Sequence, residues 1–334
     1  MTARFAINGL GRVGRALVRV ARRYPGLELV AANDPATPEQ VARLLRHDTV
    51  HGGARGEVGW EEGALRIDSR RVPLSSALAP EEIDWAGAAP EVVVEATGHF
   101  RRRALAAAHL HGSVRRVIVS AIMPDADATF CVGINHESFD PERHRVVSNA
   151  SCTTNCLAPL LRVLDRAFGV ELALMNTVHC VTNSQNLVDM AHADPRRARA
   201  ATANIIPTTS DAIPSIGRVM PEMQGKVEGL AMRVPIVAGS LVDLTVLLAR
   251  RAERAAVADA FRAAAAGEMA VILGVTDEEL VSSDFIGESR SAVVDLPLLQ
   301  QVGERLYRVV AWYDNEYGYA HRLAELILHV AARS

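Results

Sequence analysis

The sequence predicts an α/β fold, in which a doubly wound parallel sheet is followed by a second α+β domain with a mixed or antiparallel sheet. In the first half, short continuous apolar segments alternate with stretches of helical periodicity, which is typical of parallel strands buried on both faces. From about residue 170 the strand candidates become longer and are closer to those of a mixed or antiparallel sheet. With 334 residues, 49% of them hydrophobic, the chain is long enough for two domains.

The elements follow in order along the chain. Strands are predicted at residues 4–8, 27–34, 91–97, 115–121 and 128–135. The segments "RALVRVARRY" and "RALAAAHLHG" have helical spacing. In the second half, "ELALMNTVHCVT", "KVEGLAMRVPIV", "GSLVDLTVLLAR" and "RLYRVVAWYD" are strand candidates, and a final amphipathic helix is predicted at roughly 317–332. The domain boundary is expected near residue 150.

Composition excludes several classes of protein. The net charge of −3 gives no general attraction to nucleic acid or to an anionic membrane, and neither partner is expected. Four cysteines in a chain of this length do not make a disulfide framework. We see no signal peptide and no apolar run long enough to cross a bilayer. A reducing cytoplasm is therefore the expected location.

The stretch "AINGLGRVGRALV" contains the glycine motif Gly9-Leu10-Gly11-Arg12-Val13-Gly14 between a strand and a helix. Asp34 ends the next strand candidate about 20 residues later, which completes the dinucleotide fingerprint of a Rossmann-type domain. Gly9 would allow the tight turn, and Gly11 would let the pyrophosphate approach the backbone. Gly14 would let the helix pack closely on the strand. Asp34 would bind the ribose hydroxyls and repel a 2′-phosphate, which favours NAD over NADP. The alternative is a glycine-rich turn followed by an exposed aspartate.

A second feature of the same kind is "EATGHF", where a strand candidate ends at Thr97. It resembles another edge of a dinucleotide crevice. Taken alone, it is no more informative than a common β-turn.

The stretch "SNASCTTNCLAP" places Cys152 among hydroxyl and amide residues at the predicted start of a helix. The positive end of the helix dipole is expected to lower the pKa of a thiol in this position. Pro159 is expected to bend or shorten this helix. Cys156 lies one turn deeper and is interpreted as a core residue. No second ligand pair is near Cys152 and Cys156 in sequence, so no metal site is predicted.

His179 lies at the end of a strand candidate whose last residues are polar, "ALMNTVHCVTN". An imidazole beside a thiol can stabilise the thiolate and act as general base and acid. A Cys–His pair alone also suits a hydrolase, but a hydrolase has no need of a dinucleotide fingerprint. The combination indicates oxidation of an aldehyde: the thiolate adds to give a hemithioacetal, hydride passes to the nicotinamide, and an acceptor attacks the resulting thioester.

Together, "INGLGRVGR", "SNASCTTNCLAP", "TVHCVTN", "RRARAATANIIPTT", "MRVP" and "WYDNEYGYAHR" resemble the glyceraldehyde-3-phosphate dehydrogenase family from residue 4 to about 330. The resemblance implies a cytoplasmic, glycolytic homotetramer that phosphorylates as it oxidises. It also implies an NAD-binding domain of residues 1–150, completed by a C-terminal helix at 317–334, and a catalytic domain of residues 151–316. A segment at 181–205 would reach the cofactor of a neighbouring subunit.

The resemblance also implies residue roles. The catalytic residues would be Cys152 and His179. The cofactor would be held by Gly9, Gly11, Arg12, Val13, Gly14, Asp34, Thr97, Ser120, Asn315 and Tyr317. The substrate phosphate and the attacking inorganic phosphate would be bound at or near Ser151, Thr153, Thr182, Arg197, Ser210, Asp211 and Arg233.

The sequence departs from the family pattern in several places. "TSDAIPS" stands where the family usually has "STGAAKA", so that Asp211 replaces a glycine and Pro214 a lysine. "RVPIV", "ATGHF", "SAIM" and Pro35 are further departures. Two alternatives therefore remain on the same site: oxidation of erythrose 4-phosphate ending in hydrolysis, and a variant that uses arsenate. A third is a dinucleotide-binding regulator without activity, although the intact Cys152 and His179 argue against it.

Overall fold

The computed structural model describes residues 2–54, 56–85 and 87–333. The chain divides into two compact units, one of residues 1–150 and 319–334 and the other of residues 151–318. Each unit is built around its own sheet.

The first unit contains a nine-stranded sheet in the order β3-β4-β5-β2-β1-β6-β7-β9-β8. All pairs from β5 to β8 are parallel, whereas β3, β4 and β5 pair antiparallel. The strands are β1 (Ala3–Asn8), β2 (Leu27–Asn33), β3 (Val58–Glu61), β4 (Ala64–Ile67), β5 (Arg70–Ser75), β6 (Val92–Glu95), β7 (Arg116–Val119), β8 (Ala128–Thr129) and β9 (Val146–Ser148). The helices before residue 150 are α1 (Arg12–Ala21), α2 (Pro38–Arg46) and α3 (Arg103–Ala106). Every residue of β6 and β9 is buried, as expected for central strands of a parallel sheet.

The second unit contains a mixed sheet in the order β11-β12-β10-β13-β17-β15-β14, with β16 paired to β17. The strands are β10 (Val170–His179), β11 (Ile206–Thr208), β12 (Val227–Arg233), β13 (Ser240–Leu248), β14 (Leu273–Thr276), β15 (Ala292–Asp295), β16 (Gln300–Val302) and β17 (Leu306–Tyr313). The helices are α4 (Cys152–Phe168), α5 (Ala212–Val219) and α6 (Arg254–Ala266), and α7 (Tyr317–Ala331) begins where this unit ends.

These sheets confirm the predicted fold class. The structure differs from the sequence predictions for single elements in two places. The strand predicted at 128–135 is only two residues long, because its C-terminal part folds into turns in which Asn135 Oδ1 accepts from the Cys131 N–H. Pro159 does not shorten its helix, since α4 continues through it to Phe168 with Pro159 buried. Packing of α4 in the core compensates for the lost backbone hydrogen bond.

Among the described residues, no helix combines the length and the apolar character needed to cross a membrane.

Candidate active site

The glycine motif forms a tight turn between β1 and α1 in the first unit. Gly9 has φ +96°, and a Cβ there would lie 2.7 Å from the Thr97 backbone nitrogen. A Cβ at Gly14 would lie 2.0 Å from the Gly9 carbonyl oxygen, so only glycine allows helix and strand to approach this closely. A Cβ at Gly11 would meet nothing within 4 Å. This turn leaves the backbone of Gly11 and the first N–H groups of α1 accessible to a phosphate, so the residues present fit a dinucleotide.

Asp34 accepts two backbone hydrogen bonds, one of them from this turn. Its Oδ2 accepts from the Leu10 N–H at 2.6 Å and its Oδ1 from the Ala36 N–H at 2.8 Å. A carboxylate has about four acceptor positions, so each oxygen can still accept from a ribose hydroxyl. The geometry therefore suits NAD, whose ribose presents hydroxyl groups here.

The other predicted cofactor residues of the first unit make local contacts. The Arg12 guanidinium donates to Asp48 at 2.6 Å. Burial raises the pKa of Asp48, but hydrogen bonds from Arg12 and from nearby backbone N–H groups outweigh it and hold that pKa at about 2. Val13 is half-buried in the first turn of α1.

Thr97 and Ser120 both contact Glu95. The hydroxyl and N–H of Thr97 donate to the Glu95 side chain, and the Ser120 N–H donates to the Glu95 backbone oxygen at 2.9 Å.

In the second unit, Cys152 is the first residue of α4 and His179 is the last residue of β10. The distance from Cys152 Sγ to His179 Nε2 is 3.5 Å. Ser151 caps the helix, because its hydroxyl accepts from the Thr154 N–H at 3.0 Å. The structure thus joins two residues that are far apart in sequence into one thiol–imidazole pair.

Burial shifts the pKa values of both members of this pair toward the uncharged forms. Burial raises the pKa of the Cys152 thiol, although the Arg233 charge and hydrogen bonds at the helix start oppose that effect. Burial and the Arg233 charge lower the pKa of His179 to about 3. Both shifts favour the uncharged forms of the two side chains, whereas the helix start alone was expected to lower the pKa of the thiol.

Arg233, at the end of β12, adds a partner that the sequence did not predict for His179. Its guanidinium contacts His179 Nδ1 and donates to the Cys180 backbone oxygen at 3.1 Å. His179 Nδ1 also lies 2.8 Å from that same oxygen. Because a guanidinium can only donate, its contact requires an unprotonated Nδ1 and a proton on Nε2. If Nδ1 instead donates to the Cys180 oxygen, Nε2 is free to accept a proton from the thiol.

Three of the residues predicted near anion sites make local contacts. The Ser151 hydroxyl lies 2.7 Å from the Thr154 hydroxyl. Thr153 is buried, with its hydroxyl 3.0 Å from the Tyr313 hydroxyl, so that its side chain faces the protein interior. The Thr182 hydroxyl lies 2.9 Å from Ser184 Oγ.

The others lie around the start of α5. Arg197 donates to the Thr208 hydroxyl at 2.8 Å and pairs with Asp194 at 3.5 Å. Ser210 lines a cavity beside β11 and α5. Asp211 is exposed, makes no side-chain cap to α5 and is not among the described lining residues of that cavity. The described residues include no ion pair between Asp211 and Arg218.

Asn315 and Tyr317 follow β17. Tyr317 is buried, and its N–H donates to Asp314 Oδ1 at 2.8 Å. The Asn315 Oδ1 accepts from Cys180 Sγ at 3.2 Å and from Ser240 Oγ at 3.4 Å. Neither Cys180 nor Ser240 was predicted as a site residue, since the contact joins positions 135 residues apart in sequence and neither lies in a recognisable motif.

Within the described ranges, one group of side chains lies close enough together to hold a metal ion: His136, Glu137 and His329. Arg333 donates to Glu137 Oε2 at 2.9 Å and lies 3.0 Å from His329 Nδ1. This cluster is therefore neutralised internally by a guanidinium, and it contains none of the predicted site residues.

One unit carries a dinucleotide-binding turn and the other a cysteine–histidine pair, which together define an oxidoreductase that combines NAD with a reactive thiol. A family model described as the NAD binding domain of glyceraldehyde 3-phosphate dehydrogenase matches residues 3–103, and one described as its C-terminal domain matches residues 151–315.

Curated relatives match the whole chain. Glyceraldehyde-3-phosphate dehydrogenase of Kitasatospora aureofaciens is 44% identical over 331 residues, which cover 99% of each chain. The enzyme of Geobacillus stearothermophilus is 41% identical over 333 residues, covering 100% of this chain and 99% of the relative. The chain belongs to the glyceraldehyde-3-phosphate dehydrogenase family, as its motifs predicted, and its N-terminal region is that family's NAD-binding domain.

Proposed function

We propose that this protein oxidises glyceraldehyde 3-phosphate to 1,3-bisphosphoglycerate with NAD and inorganic phosphate, in glycolysis or gluconeogenesis. The observation that carries the proposal is the 3.5 Å approach of His179 Nε2 to Cys152 Sγ at the start of α4, in a chain whose other unit is an NAD-binding domain. A thiol at a helix start beside an imidazole is the arrangement that nucleophilic catalysis requires.

Cys152 acts as the nucleophile. Its sulfur forms a bond to the aldehyde carbon while its proton passes through His179 to the carbonyl oxygen, giving a hemithioacetal. His179 then removes the hydroxyl proton as the carbon loses its hydrogen with the electron pair, and a thioester remains on Cys152. Bound NAD supplies the acceptor for that hydride. Attack by phosphate on the thioester carbon breaks its bond to sulfur and forms the acyl phosphate, and His179 returns the proton that it removed to the Cys152 thiolate.

Arg233 links substrate binding to the proton state of His179. A phosphate on the aldehyde attracts the guanidinium more strongly than a neutral ring nitrogen does. When Arg233 turns to that phosphate, Nδ1 is released to donate to the Cys180 oxygen, 2.8 Å away. Nε2 then becomes the free acceptor that general-base catalysis needs.

The residues predicted to bind the cofactor are proposed to hold NAD. In the first unit these are Gly9, Gly11, Arg12, Val13, Gly14, Asp34, Thr97 and Ser120. In the second unit, Asn315 binds the nicotinamide carboxamide and Tyr317 packs near it. The two anions are bound by Thr182 and Arg233 for the substrate phosphate, and near Ser151, Thr153, Arg197, Ser210 and Asp211 for the attacking phosphate.

A kinetic panel tests the proposal. Glyceraldehyde 3-phosphate and erythrose 4-phosphate are each offered with NAD and with phosphate, arsenate or neither. We expect the highest kcat/KM with glyceraldehyde 3-phosphate and phosphate, and no NADH from Cys152→Ser. A preference for erythrose 4-phosphate without an added acceptor, or saturation by arsenate at far lower concentration than phosphate, would support one of the sister activities instead. If NAD binds but neither aldehyde gives NADH, the protein is a dinucleotide-binding regulator.

We also propose that the chain forms a cytoplasmic homotetramer. On the outward side of β10, Leu172 and Leu174 are 55% and 64% exposed, and Leu230 of β12 is 40% exposed. Clustered exposed apolar side chains of this kind mark interfaces. Sedimentation should give four chains for the natural protein and fewer for Leu174→Arg. Leu78→Arg changes a leucine of the first unit that is 76% exposed and serves as the matched control, which should remain tetrameric.

A further inference from the structure

The buried thiol of Cys180 forms a small hydrogen-bonded cluster with two other side chains of the second unit. Cys180 follows His179 directly after β10, and its Sγ donates to Asn315 Oδ1 at 3.2 Å. Ser240, the first residue of β13, approaches the same oxygen at 3.4 Å. The Cys180 N–H donates to Ser240 Oγ at 3.2 Å. Since Ser240 Oγ already accepts this bond, its hydroxyl proton is available for Asn315.

These contacts give the Asn315 amide a defined direction. The two ends of an amide differ chemically, because the oxygen accepts and the nitrogen donates, and the surrounding network decides which end points where. Here two donors meet at Oδ1. A reversed amide would place its NH₂ group against the Cys180 thiol, a donor and only a weak acceptor.

The nitrogen end of the same amide remains available. Asn315 Nδ2 has no hydrogen-bond partner among the described residues, and it is not one of their buried, unpaired polar atoms. The amide thus keeps its acceptor inside the protein and presents a donor outward.

Cys180 also remains protonated, so its thiol can act as a hydrogen-bond donor. Burial raises the pKa of its thiol to about 12, although the hydrogen bond with Ser240 opposes that effect. His179 Nδ1 is another possible acceptor, 3.6 Å from Sγ, but Arg233 and the Cys180 oxygen already contact that atom.

We propose that Cys180 is a positioning residue for the cofactor: together with Ser240 it orients Asn315 so that the amide nitrogen donates to the carbonyl oxygen of the nicotinamide carboxamide. This inference rests on the proposed function. It gives Cys180 a role in NAD recognition. The other two thiols of the second unit differ in role, since Cys152 is the nucleophile and Cys156 lies in the core.

The test compares Cys180→Ala, which removes the donor, with Cys180→Ser, which keeps a donor of similar size. Dissociation constants for NAD and for ADP-ribose, which lacks the nicotinamide, are measured by titration calorimetry. Loss of one buried hydrogen bond weakens binding by about three- to tenfold. We therefore expect Cys180→Ala to bind NAD about three- to tenfold more weakly and ADP-ribose as the natural protein does. Cys180→Ser should restore NAD binding to within about twofold.

Several outcomes would overturn the inference: unchanged NAD binding by Cys180→Ala, an equal loss for NAD and ADP-ribose, or no recovery in Cys180→Ser. A kinetic measurement gives an independent check, since Cys180→Ala should raise KM for NAD and leave KM for the aldehyde unchanged. If the natural protein reduces NAD but Cys180→Ala is indistinguishable from it, only the positioning role fails. If the natural protein does not reduce NAD, the proposed function fails first.

Discussion

Cys152 is distinguished from the other three thiols by access as well as by its partner. It is partly exposed, whereas Cys131, Cys156 and Cys180 are buried. Burial raises the pKa of all four thiols, but only Cys152 combines access with an imidazole nitrogen, His179 Nε2, 3.5 Å from its sulfur.

Alkylation should therefore select Cys152. With limiting iodoacetamide at about pH 7.5, we expect the peptide containing Cys152 to be labelled first and NAD reduction to fall in proportion. Prior incubation with glyceraldehyde 3-phosphate should slow both. Equal labelling of Cys156 or Cys180 with activity retained would show that Cys152 is not the nucleophile.

His179→Asn should separate the chemical role of the imidazole from its effect on stability. Loss of one general acid–base group slows kcat by roughly 10²- to 10⁴-fold. The pKa of His179 is about 3 in the folded protein against an ordinary value of 6.5. Between these values the unfolded chain binds a proton that the folded chain does not, so His179 causes stability to fall as the pH falls below 6.5.

The measurement is the midpoint of thermal unfolding at about pH 7.5 and about pH 5 for both proteins. The natural protein should lose more stability on acidification than His179→Asn does. An equal loss in the two proteins would mean that His179 is not held neutral by its surroundings.

Among the elements, the turn between β1 and α1 offers a matched pair of glycines. Gly11 has φ −66° and open space beside it, whereas a Cβ at Gly14 would meet the Gly9 carbonyl oxygen. We expect Gly11→Ala to unfold at the same temperature as the natural protein but to bind NAD several times more weakly, because the methyl group lies where the pyrophosphate approaches. Gly14→Ala should lower the unfolding temperature. Natural NAD affinity in Gly11→Ala would place the pyrophosphate elsewhere.

At the start of α5, Asp211 adds negative charge next to Ser210, which lines the neighbouring cavity. If the attacking phosphate binds there, an exposed carboxylate about 4 Å away raises its free energy by about 1 kcal/mol in water-like surroundings. Both Asp211→Gly and Asp211→Asn should then lower KM for phosphate by up to about fivefold, and leave KM for the aldehyde and for NAD unchanged. Since the two variants share only the loss of charge, an unchanged KM for phosphate in both would exclude the electrostatic effect.

The elements also show what the sequence could and could not predict. Long strands such as β10 and β13 were predicted within a few residues, because their apolar alternation continues over nine or ten positions. The antiparallel strands β3 to β5 and the helix α2 were not predicted. Each of those strands has only four to six residues, and their pairing depends on neighbours rather than on a periodic pattern of their own.

For the molecule as a whole, motifs predicted the pair of Cys152 and His179 and the glycine turn, because each needs particular residue types at fixed spacing. Contacts across the sheet of the second unit could not be predicted in this way. Arg233 reaches His179 from β12, the strand paired parallel to β10, and Cys180 reaches Asn315 beyond β17. These contacts depend on strand order, which no local pattern specifies.

The central claim is that Cys152 carries the oxidised substrate as a thioester. The most direct test is to mix the protein with NAD and glyceraldehyde 3-phosphate in the absence of phosphate and arsenate, quench with acid, and measure the mass of its peptides. We predict a phosphoglyceroyl group on the peptide containing Cys152, in an amount equal to the NADH formed and released by hydroxylamine. Formation of NADH without this adduct, or with the acyl group on another residue, would contradict the account.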